Sequence, residues 1–580
     1  IFALLLSKTH THLKSSFVLL FLIIFCLSSS AQNFRLLITG NNSSETKTID
    51  SLKYNSEHKN TKSINEEIIR VSEKLSEIGY IDNTSLELTK RKDSSYVVNF
   101  TLGKKIKFIH IYIGTTNILD NLSELSKKDT LKLAYTEINS FLKQTVQKLE
   151  QNGFALARLK LINIKRIETE IYADLKLESD KKRTLNSITI NYTENNRTNK
   201  FPSGHLAQIN RKYKNSIFNQ KKVDEIYNDF EKFGFISQVK YPEILFTKDT
   251  TKVYVYLEKR KSNTFDGFIG FSNNENKRTT LNGYLDIKLE NILGSGEQLS
   301  VYWKNDGEDQ KTFNASIELP YLLKTPIGLK AQIQLFRQDS TFQNTKTAID
   351  LSYFTNYNKR LYLGYQTTES SDIQNSTGTS ISDFSNSFLT SSFNYTKLDL
   401  ANYTFPIKSF FSITAGIGKR EIKNKSENST KSNQFFINIQ ASHNFNLNKK
   451  NIIHINSQNY YLQSNKYIAN ELFRFGGFNS VRGFTENSLQ AYFITSILTE
   501  YRLILSPNLY IHSILDYCIL KDKSSIQKQE NNEKLLGLGL GFGLQTKNGL
   551  LKLAIANGST QNQQIEFYNT IIHICYNVKF

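Results

Sequence analysis

The chain has 580 residues, of which 73 are Lys or Arg and 53 are Asp or Glu, giving a formal net charge of +20. Hydrophobic residues make up 39% of it, which is too apolar for a disordered protein, and the negative mean hydropathy excludes a protein built from many apolar membrane helices. With 6 Pro but 39 Phe and 30 Tyr, the composition favours β-structure.

The first segment has the pattern of a secretory signal peptide. Lys8 and Lys14 precede an uninterrupted apolar run over residues 17–27, and small residues follow up to Ala31. The run is much shorter than the roughly 20 residues that a membrane helix needs. We therefore predict a signal peptide at 1–31. No later stretch is long and apolar enough to span as a helix, so membrane insertion would have to be as a β-barrel.

Three tandem units with the same order of elements are predicted next. Helices at 63–78, 137–151 and 222–232 each end in a glycine followed by an aromatic residue, a helix-ending signal. An alternating strand precedes each helix and two strands follow it. The glycines Gly79, Gly153 and Gly234 are 74 and then 81 residues apart, which is too long for a solenoid repeat. We predict three small α+β domains, at 33–103, 104–180 and 181–260.

From residue 261 onward, short alternating segments replace helical periodicity. A segment this long holds about 16 membrane-crossing strands of about 10 residues each. The last strand is the clearest case, because every second residue is apolar: Ile572, Ile574, Tyr576, Val578 and Phe580. A soluble sandwich could show such a pattern, but behind a signal peptide it favours a transmembrane barrel of antiparallel strands over 261–580.

One stretch within this region resembles a known family. Its residues are Phe475, Gly476, Gly477, Phe478, Asn479, Ser480, Val481, Arg482, Gly483 and Phe484. Together with three preceding repeats, they resemble the BamA/TamA-like outer-membrane assembly superfamily of Gram-negative bacteria. The resemblance implies that the front units are POTRA domains and the barrel is of the surface antigen type. It also implies that the Val-Arg-Gly-Phe motif tips a loop folded into the barrel lumen.

Two acidic residues, Glu500 and Asp516, resemble the family's strand residues that face the loop arginine. A buried guanidinium needs an acidic partner, and a carboxylate can accept two parallel hydrogen bonds from it. We predict that Asp516 or Glu500 holds Arg482, and that Gly483 lets the backbone approach the wall. The alternative is a solvated Arg482. The family usually has glycine two positions after the aspartate, and Cys518 here puts close loop packing in question.

The first and last strands would meet at a seam. Gly267 and Gly270 lie in the predicted first strand, where glycine either weakens pairing or allows the internal loop to pack closely. A weakly paired seam could open sideways and accept a client strand. Tyr576, Val578 and Phe580 are predicted to face lipid, and the resemblance implies that they form a C-terminal recognition signal.

Catalytic motifs are absent from the sequence. It contains no nucleophile elbow, phosphate-binding glycine loop or His-Glu-x-x-His motif, and the three cysteines lack metal-site spacing. We therefore expect no enzymatic activity, no catalytic residue, and no cofactor or metal ion. The lysines are scattered rather than clustered with aromatics, so nucleic acid is not an expected partner.

Two function classes stay open. The resemblance implies an outer-membrane protein with periplasmic N-terminal domains that captures unfolded outer-membrane or secreted clients and guides them into or across the membrane. Outer-membrane lipids are further partners, and periplasmic or inner-membrane accessory proteins are compatible with this role. Three repeats favour a TamA-like over a BamA-like role. The alternative is a two-partner secretion pore for one dedicated protein, which usually carries two repeats. A passive porin would need neither repeats nor the loop.

Overall fold

The computed structural model describes residues 33–579 except 93, 115–128, 180, 193–200, 274–278, 306–309, 375–379, 400–401, 403, 424–428, 525–531, 547–548, 562 and 564. The predicted signal peptide and Phe580 lie outside the described residues. The chain divides into two units. One ends at Arg183 and includes Ile217–Asn219, and the other comprises Thr184–Ser216 and the chain from Gln220 onward. Each is described by itself.

The first unit begins with an α+β domain. Its elements are β1 (Phe34–Gly40), α1 (Ser43–Ser51), β2 (Glu57–His58), α2 (Thr61–Glu77), β3 (Thr84–Ser85), β4 (Thr89–Lys92) and β5 (Ser95–Thr101). Strand β1 pairs in parallel with β5. Helix α2 starts at Asn60, whose side chain accepts a hydrogen bond from the Ser63 N–H. It buries Ile64, Val71 and Leu75 against the sheet, the apolar face that predicted this helix.

A second α+β domain completes this unit. Its elements are β6 (Phe108–Tyr112), β7 (Thr130–Ala134), α3 (Ile138–Gln151), β8 (Arg158–Ile167) and β9 (Glu170–Glu178), with the sheet order β7-β6-β9-β8. Strand β8 therefore lies at an edge. Its pairing with β9 is irregular between Ile162 and Lys165, and Ile162, Ile164 and Ile167 are exposed.

The second unit opens with a third α+β domain. Its elements are β10 (Ser187–Tyr192), α4 (Ser203–Tyr213), α5 (Gln220–Phe230), β11 (Ile236–Phe246) and β12 (Thr251–Lys259), with the sheet order β10-β12-β11. Helices α1 and α4 were not predicted. The buried face of α4 consists of His205, Ile209 and Tyr213, and two polar-tipped residues among three hide its apolar periodicity.

Sixteen antiparallel strands then form a closed barrel in chain order, which confirms the predicted fold class. They are β13 (Thr264–Asn273), β14 (Thr279–Glu290), β15 (Gln298–Asn305), β16 (Gln310–Leu319), β17 (Ile327–Gln338), β18 (Phe342–Asn356), β19 (Lys359–Asp372), β20 (Phe384–Leu398), β21 (Ile407–Ile422), β22 (Thr430–Asn446), β23 (Asn451–Gln463), β26 (Phe493–Ser506), β27 (Leu509–Lys521), β28 (Glu533–Gln545), β29 (Gly549–Ser559) and β30 (Ile571–Lys579). The short strands β24 (Phe473–Phe475) and β25 (Leu489–Ala491) form a separate hairpin.

Side chains alternate across the barrel wall. In β18, Ile349, Leu351 and Tyr353 are exposed on the outside, whereas Asp350 and Ser352 are buried inside. An apolar outer face and a polar lumen are the pattern of a barrel that crosses a membrane. The last strand follows it, with Ile572, Ile574 and Tyr576 exposed. None of the helices in the described part of the chain has the length and apolar character to cross a membrane.

The third domain packs on the barrel end at which β13 begins, here called the proximal end. His205 of α4 is 1% exposed, and its ring lies 4.7 Å from that of Tyr321 and 5.3 Å from that of Tyr357, both in barrel turns. Gly296 makes room, since a Cβ there would lie 1.9 Å from the His205 ring. Neither ring nitrogen has a hydrogen-bond partner, and burial lowers the pKa of His205 to about 3. The neutral ring thus joins the domain to the barrel.

Candidate functional site

A long loop between β23 and β26 starts at the other, distal end and folds into the lumen. This lumen loop, residues 464–492, contains the β24–β25 hairpin and the predicted motif residues. Phe475 and Val481 are buried against wall residues Leu498 and Leu535, so the loop has an apolar core of its own. The loop is therefore packed against the wall rather than extended into solvent.

Arg482 at the tip binds both predicted acidic residues at once. Its backbone N–H and its Nε donate to Asp516 Oδ2 at 2.9 and 2.8 Å, and Nη2 donates to Asp516 Oδ1 at 2.5 Å. Nη1 forms an ion pair with Glu500. Both Arg482 and Asp516 are buried, and Asp516 lies near the middle of β27. Three hydrogen bonds to one carboxylate fix both the tip backbone and the guanidinium plane.

Glycines on both sides let the tip touch the wall backbone. Gly483 has φ of +89°, and a Cβ there would lie 2.4 Å from Gly558 N. A Cβ on Gly537 of β28 would lie 2.3 Å from Arg482 O. Contacts this short leave no room for a side chain. Only glycine at these two positions lets the loop backbone and the wall backbone lie so close together.

Cys518 replaces the expected glycine without preventing this contact. It is fully buried in the cluster that contains Phe475 and Val481, two residues beyond Asp516. A free thiol behaves as a small hydrophobic side chain. At this position the loop therefore packs on a sulfur atom where the family pattern has glycine.

Gly476 and Gly477 directly follow β24, in the part of the loop that leads to the tip at Arg482. Both have positive φ, +108° and +94°. A Cβ on Gly476 would lie 2.5 Å from Thr485 O, and one on Gly477 would lie 2.9 Å from Glu486 Cβ. These two glycines let the two limbs of the loop lie side by side.

Three ion pairs at this site were not predicted. Arg502 Nη2 lies 2.6 Å from Glu500 Oε2, Glu471 of the loop pairs with Arg420 of β21, and Glu486 of the loop pairs with Lys304 of β15. In the local sequence, each of these charged residues is indistinguishable from other polar residues of the same strand or loop. The last two pairs join positions far apart in the chain, so no local spacing could have indicated them.

The seam between β13 and β30 is short. Between the described residues of these two strands it has three residue pairs, which end at Asp266 opposite Asn577, whereas β13 and β14 share ten. Within the lumen, Asp266 accepts hydrogen bonds from Cys575 Sγ at 2.7 Å and from Tyr284 OH at 2.6 Å. Gly267 and Gly270 pair with Leu285 and Asn282 of β14. A Cβ on Gly267 would meet Tyr284 O at 2.5 Å, so this glycine packs on β14.

The remaining C-terminal residues follow the wall pattern. Tyr576 is exposed, and Val578 pairs with both Gly549 of β29 and Phe265 of β13. Among the described residues, no cluster of three or more His, Cys, Asp or Glu side chains is placed to hold a metal ion. The site's chemistry thus consists of ion pairs, close backbone contacts and a short strand seam.

Comparison with known proteins gives the following. Residues 291–568 match the Omp85 superfamily domain. Among curated proteins no relative matches. Similar solved structures include BamA from Haemophilus ducreyi lacking POTRA domains 1–3 (16% identity, TM-score 0.48, 82% of this chain and 100% of that one). They also include CdiB from Acinetobacter baumannii (15%, 0.49, 82% and 90%) and CdiB from Escherichia coli (12%, 0.49, 88% and 98%).

Proposed function

Because the barrel of this chain is an Omp85 superfamily domain, as the BamA/TamA-like resemblance predicts, we propose that the protein inserts client proteins into the outer membrane. Its N-terminal POTRA-like domains lie in the periplasm and capture unfolded clients. The clients then enter the bilayer through the seam of the barrel, in a TamA-like or BamA-like manner.

The short seam is the observation that carries this proposal. Within the described part of the chain, three residue pairs close the barrel between β13 and β30, while the neighbouring β29 and β30 share eight. Unpaired backbone groups are unfavourable in lipid, so an incompletely paired edge favours the addition of another strand. An incoming client strand can supply the missing pairs. A barrel that accepts no client strand has no use for an incompletely paired seam.

An edge strand in the second domain supports the capture step. Strand β8 pairs with β9 on one side and ends the described sheet on the other. Its exposed isoleucines, Ile162, Ile164 and Ile167, offer an apolar surface next to that edge. An extended, unfolded segment can bind there by main-chain hydrogen bonds together with side-chain contacts.

A seam lock tests this function. In a Cys518→Ala background, Asp266→Cys places a thiol next to Cys575, because Asp266 Oδ2 and Cys575 Sγ are 2.7 Å apart. The oxidised protein in proteoliposomes should remain a folded barrel but fail to insert an unfolded outer-membrane barrel protein. Reduction should restore insertion.

A matched control uses the same cysteine away from the seam. Lys552 of β29 lies directly opposite Cys575, so Lys552→Cys staples two strands that stay together. That protein should insert clients whether oxidised or reduced. Full insertion with the seam demonstrably cross-linked would refute the proposal. If the seam-locked protein still exported a dedicated partner through its lumen, the two-partner secretion pore would be the better assignment.

A further inference from the structure

The lumen loop holds the barrel strands on the C-terminal side of the seam. Arg482 binds Asp516 of β27, and the Phe478 ring lies 5.6 Å from that of His573 of β30. Gly483 lies against Gly558 of β29. Arg482 O lies against Gly537 of β28, so the tip contacts each of the last four strands before the seam.

The same loop also reaches the N-terminal side of the seam. Glu486, four residues after Arg482, accepts a hydrogen bond from Lys304 Nζ at 2.6 Å and one from Tyr302 OH at 3.2 Å. Both donors lie on β15, the third strand after the seam. A stretch of five residues, 482–486, thus bridges the seam from inside.

Strand register places this bridge where the seam's backbone pairing stops. Lys304 lies opposite Tyr284, and Tyr284 lies opposite Phe268 of β13. The last seam pair is Asp266 with Asn577, and no registered pair continues beyond it along the described strands β13 and β30. Lys304 is therefore level with the first unpaired part of β13.

The two attachments of the loop differ in how easily they can be released. The side chains of Arg482 and Asp516 are 5% and 0% exposed, whereas those of Lys304 and Glu486 are 23% and 36% exposed. Water can solvate Lys304 and Glu486 when they separate, but a separated Arg482 would leave a buried charge unpaired. Movement of β13–β15 away from β30 should break the Glu486 contact first.

We propose that the Lys304–Glu486 ion pair, supported by Tyr302, is a releasable clasp that holds the seam closed. The inference rests on the proposed function, in which the seam opens. A client strand that adds to β13 would displace β15 from the loop and separate the ion pair. The loop would meanwhile stay fixed to the C-terminal strands through Arg482.

Charge reversal tests the clasp without any client. Spin labels at Ile572→Cys of β30 and Ile333→Cys of β17, both on the outer face, report the distance across the seam in a cysteine-free background in lipid nanodiscs. Lys304→Glu and Glu486→Lys should each increase the long-distance fraction about two- to fivefold, as expected for losing a partly exposed pair. The double exchange, Lys304→Glu with Glu486→Lys, should restore the wild-type distribution.

A matched control is the exposed pair Lys431 and Glu421, which joins β21 and β22 away from the seam. Glu421→Lys should leave the seam distance unchanged. Unchanged distances in both single clasp variants, or failure of the double exchange to restore them, would overturn the clasp. If Lys304→Glu does not fold, Lys304→Gln replaces it under the same criteria.

Client insertion by the same variants separates the two proposals. Unchanged seam distances refute the clasp and leave the insertion function standing. If the seam distance increases in the clasp variants but they insert an unfolded outer-membrane barrel protein as the wild type does, the clasp is supported. The same result would refute insertion through the seam.

Discussion

Arg420 of β21 and Glu471 of the lumen loop form an ion pair in which the side chains are 1% and 4% exposed. Glu471 also accepts hydrogen bonds from Gln434 Nε2 at 2.9 Å and from Asn386 Nδ2 at 3.3 Å. The pair ties the start of the loop to the wall formed by β20–β22, whereas Arg482 ties its tip to the wall formed by β26 and β27. The loop is thus fixed on two different parts of the wall.

Removing Arg420 should destabilise the barrel. Arg420→Ala leaves the Glu471 carboxylate buried without its cation, at a cost of about 3–5 kcal/mol. The measurement is the free energy of unfolding in urea in lipid vesicles. Lys431→Ala, which removes a cation exposed at the surface, should change it by less than about 1 kcal/mol. Equal effects of the two substitutions would show that the Arg420 pair is not desolvated.

Removing Arg482 should impair function more than it lowers barrel abundance. Arg482→Ala leaves Asp516 and Glu500 without the loop guanidinium and frees the tip, while the strand ladder remains. Arg482→Lys retains the charge but cannot donate two parallel hydrogen bonds, so its activity should be intermediate. Client insertion and the amount of heat-modifiable barrel are measured together. Wild-type insertion at normal abundance in Arg482→Ala would contradict the assigned role of the loop.

A pair of glycine substitutions tests close packing of the tip. Gly483→Ala must tolerate both φ of +89° and a Cβ 2.4 Å from Gly558 N. Gly294→Ala is the control, because Gly294 has φ of +76° but no atom within 4 Å of a Cβ. The control should lose about 1–2 kcal/mol from backbone strain alone. Gly483→Ala should lose clearly more and loosen the loop, measured by unfolding and by limited proteolysis of the loop.

Acid should weaken the joint between the third domain and the barrel. The pKa of buried His205 is lowered to about 3, so its neutral form stabilises docking above about pH 6.5. This stabilisation should be lost progressively as the pH falls from about 6.5 towards 3, because the undocked ring binds the proton. Arg360, whose positive charge also lowers this pKa, and the rings of Tyr321 and Tyr357 face His205.

The measurement is proteolytic cleavage between the third domain and the barrel across this pH range. His205→Phe keeps an aromatic ring in the pocket and removes the titrating group, so its cleavage should vary less with pH. The same pH dependence in both proteins would exclude His205 as its source.

Deleting Phe580 should reduce the amount of folded barrel in the outer membrane. The residue continues the exposed face of Ile572, Ile574 and Tyr576 in the sequence, and aromatics at this position anchor a strand at the membrane interface. The amount of folded barrel is measured in membrane fractions by its heat-modifiable migration on gels. Deletion of one residue in the polar stretch 424–428 serves as the control. Unchanged levels would contradict a lipid-facing Phe580.

The sequence by itself determined the barrel and its tip. Apolar and polar residues alternate along segments such as β18 and β30, because successive side chains of a strand point to opposite faces. This pattern can be seen in neighbouring residues of the sequence alone. The motif around Arg482 and its acidic partners could be recognised because these short patterns resemble those of a known family, and because a buried guanidinium needs an acidic partner. The long helices were predicted for the same reason, whereas α4 was missed because His205 and Tyr213 occupy its buried face.

Only the tertiary structure decided which of the other charges meet. Lys304 and Glu486 are 182 residues apart, and Arg420 and Glu471 are 51 apart, so strand register and the path of the loop bring each pair together. The three-pair seam likewise follows from how β13 and β30 align once sixteen strands close into a barrel. Local patterns set which face a residue occupies, but closing the barrel sets the partner it meets there, because that partner comes from a distant strand.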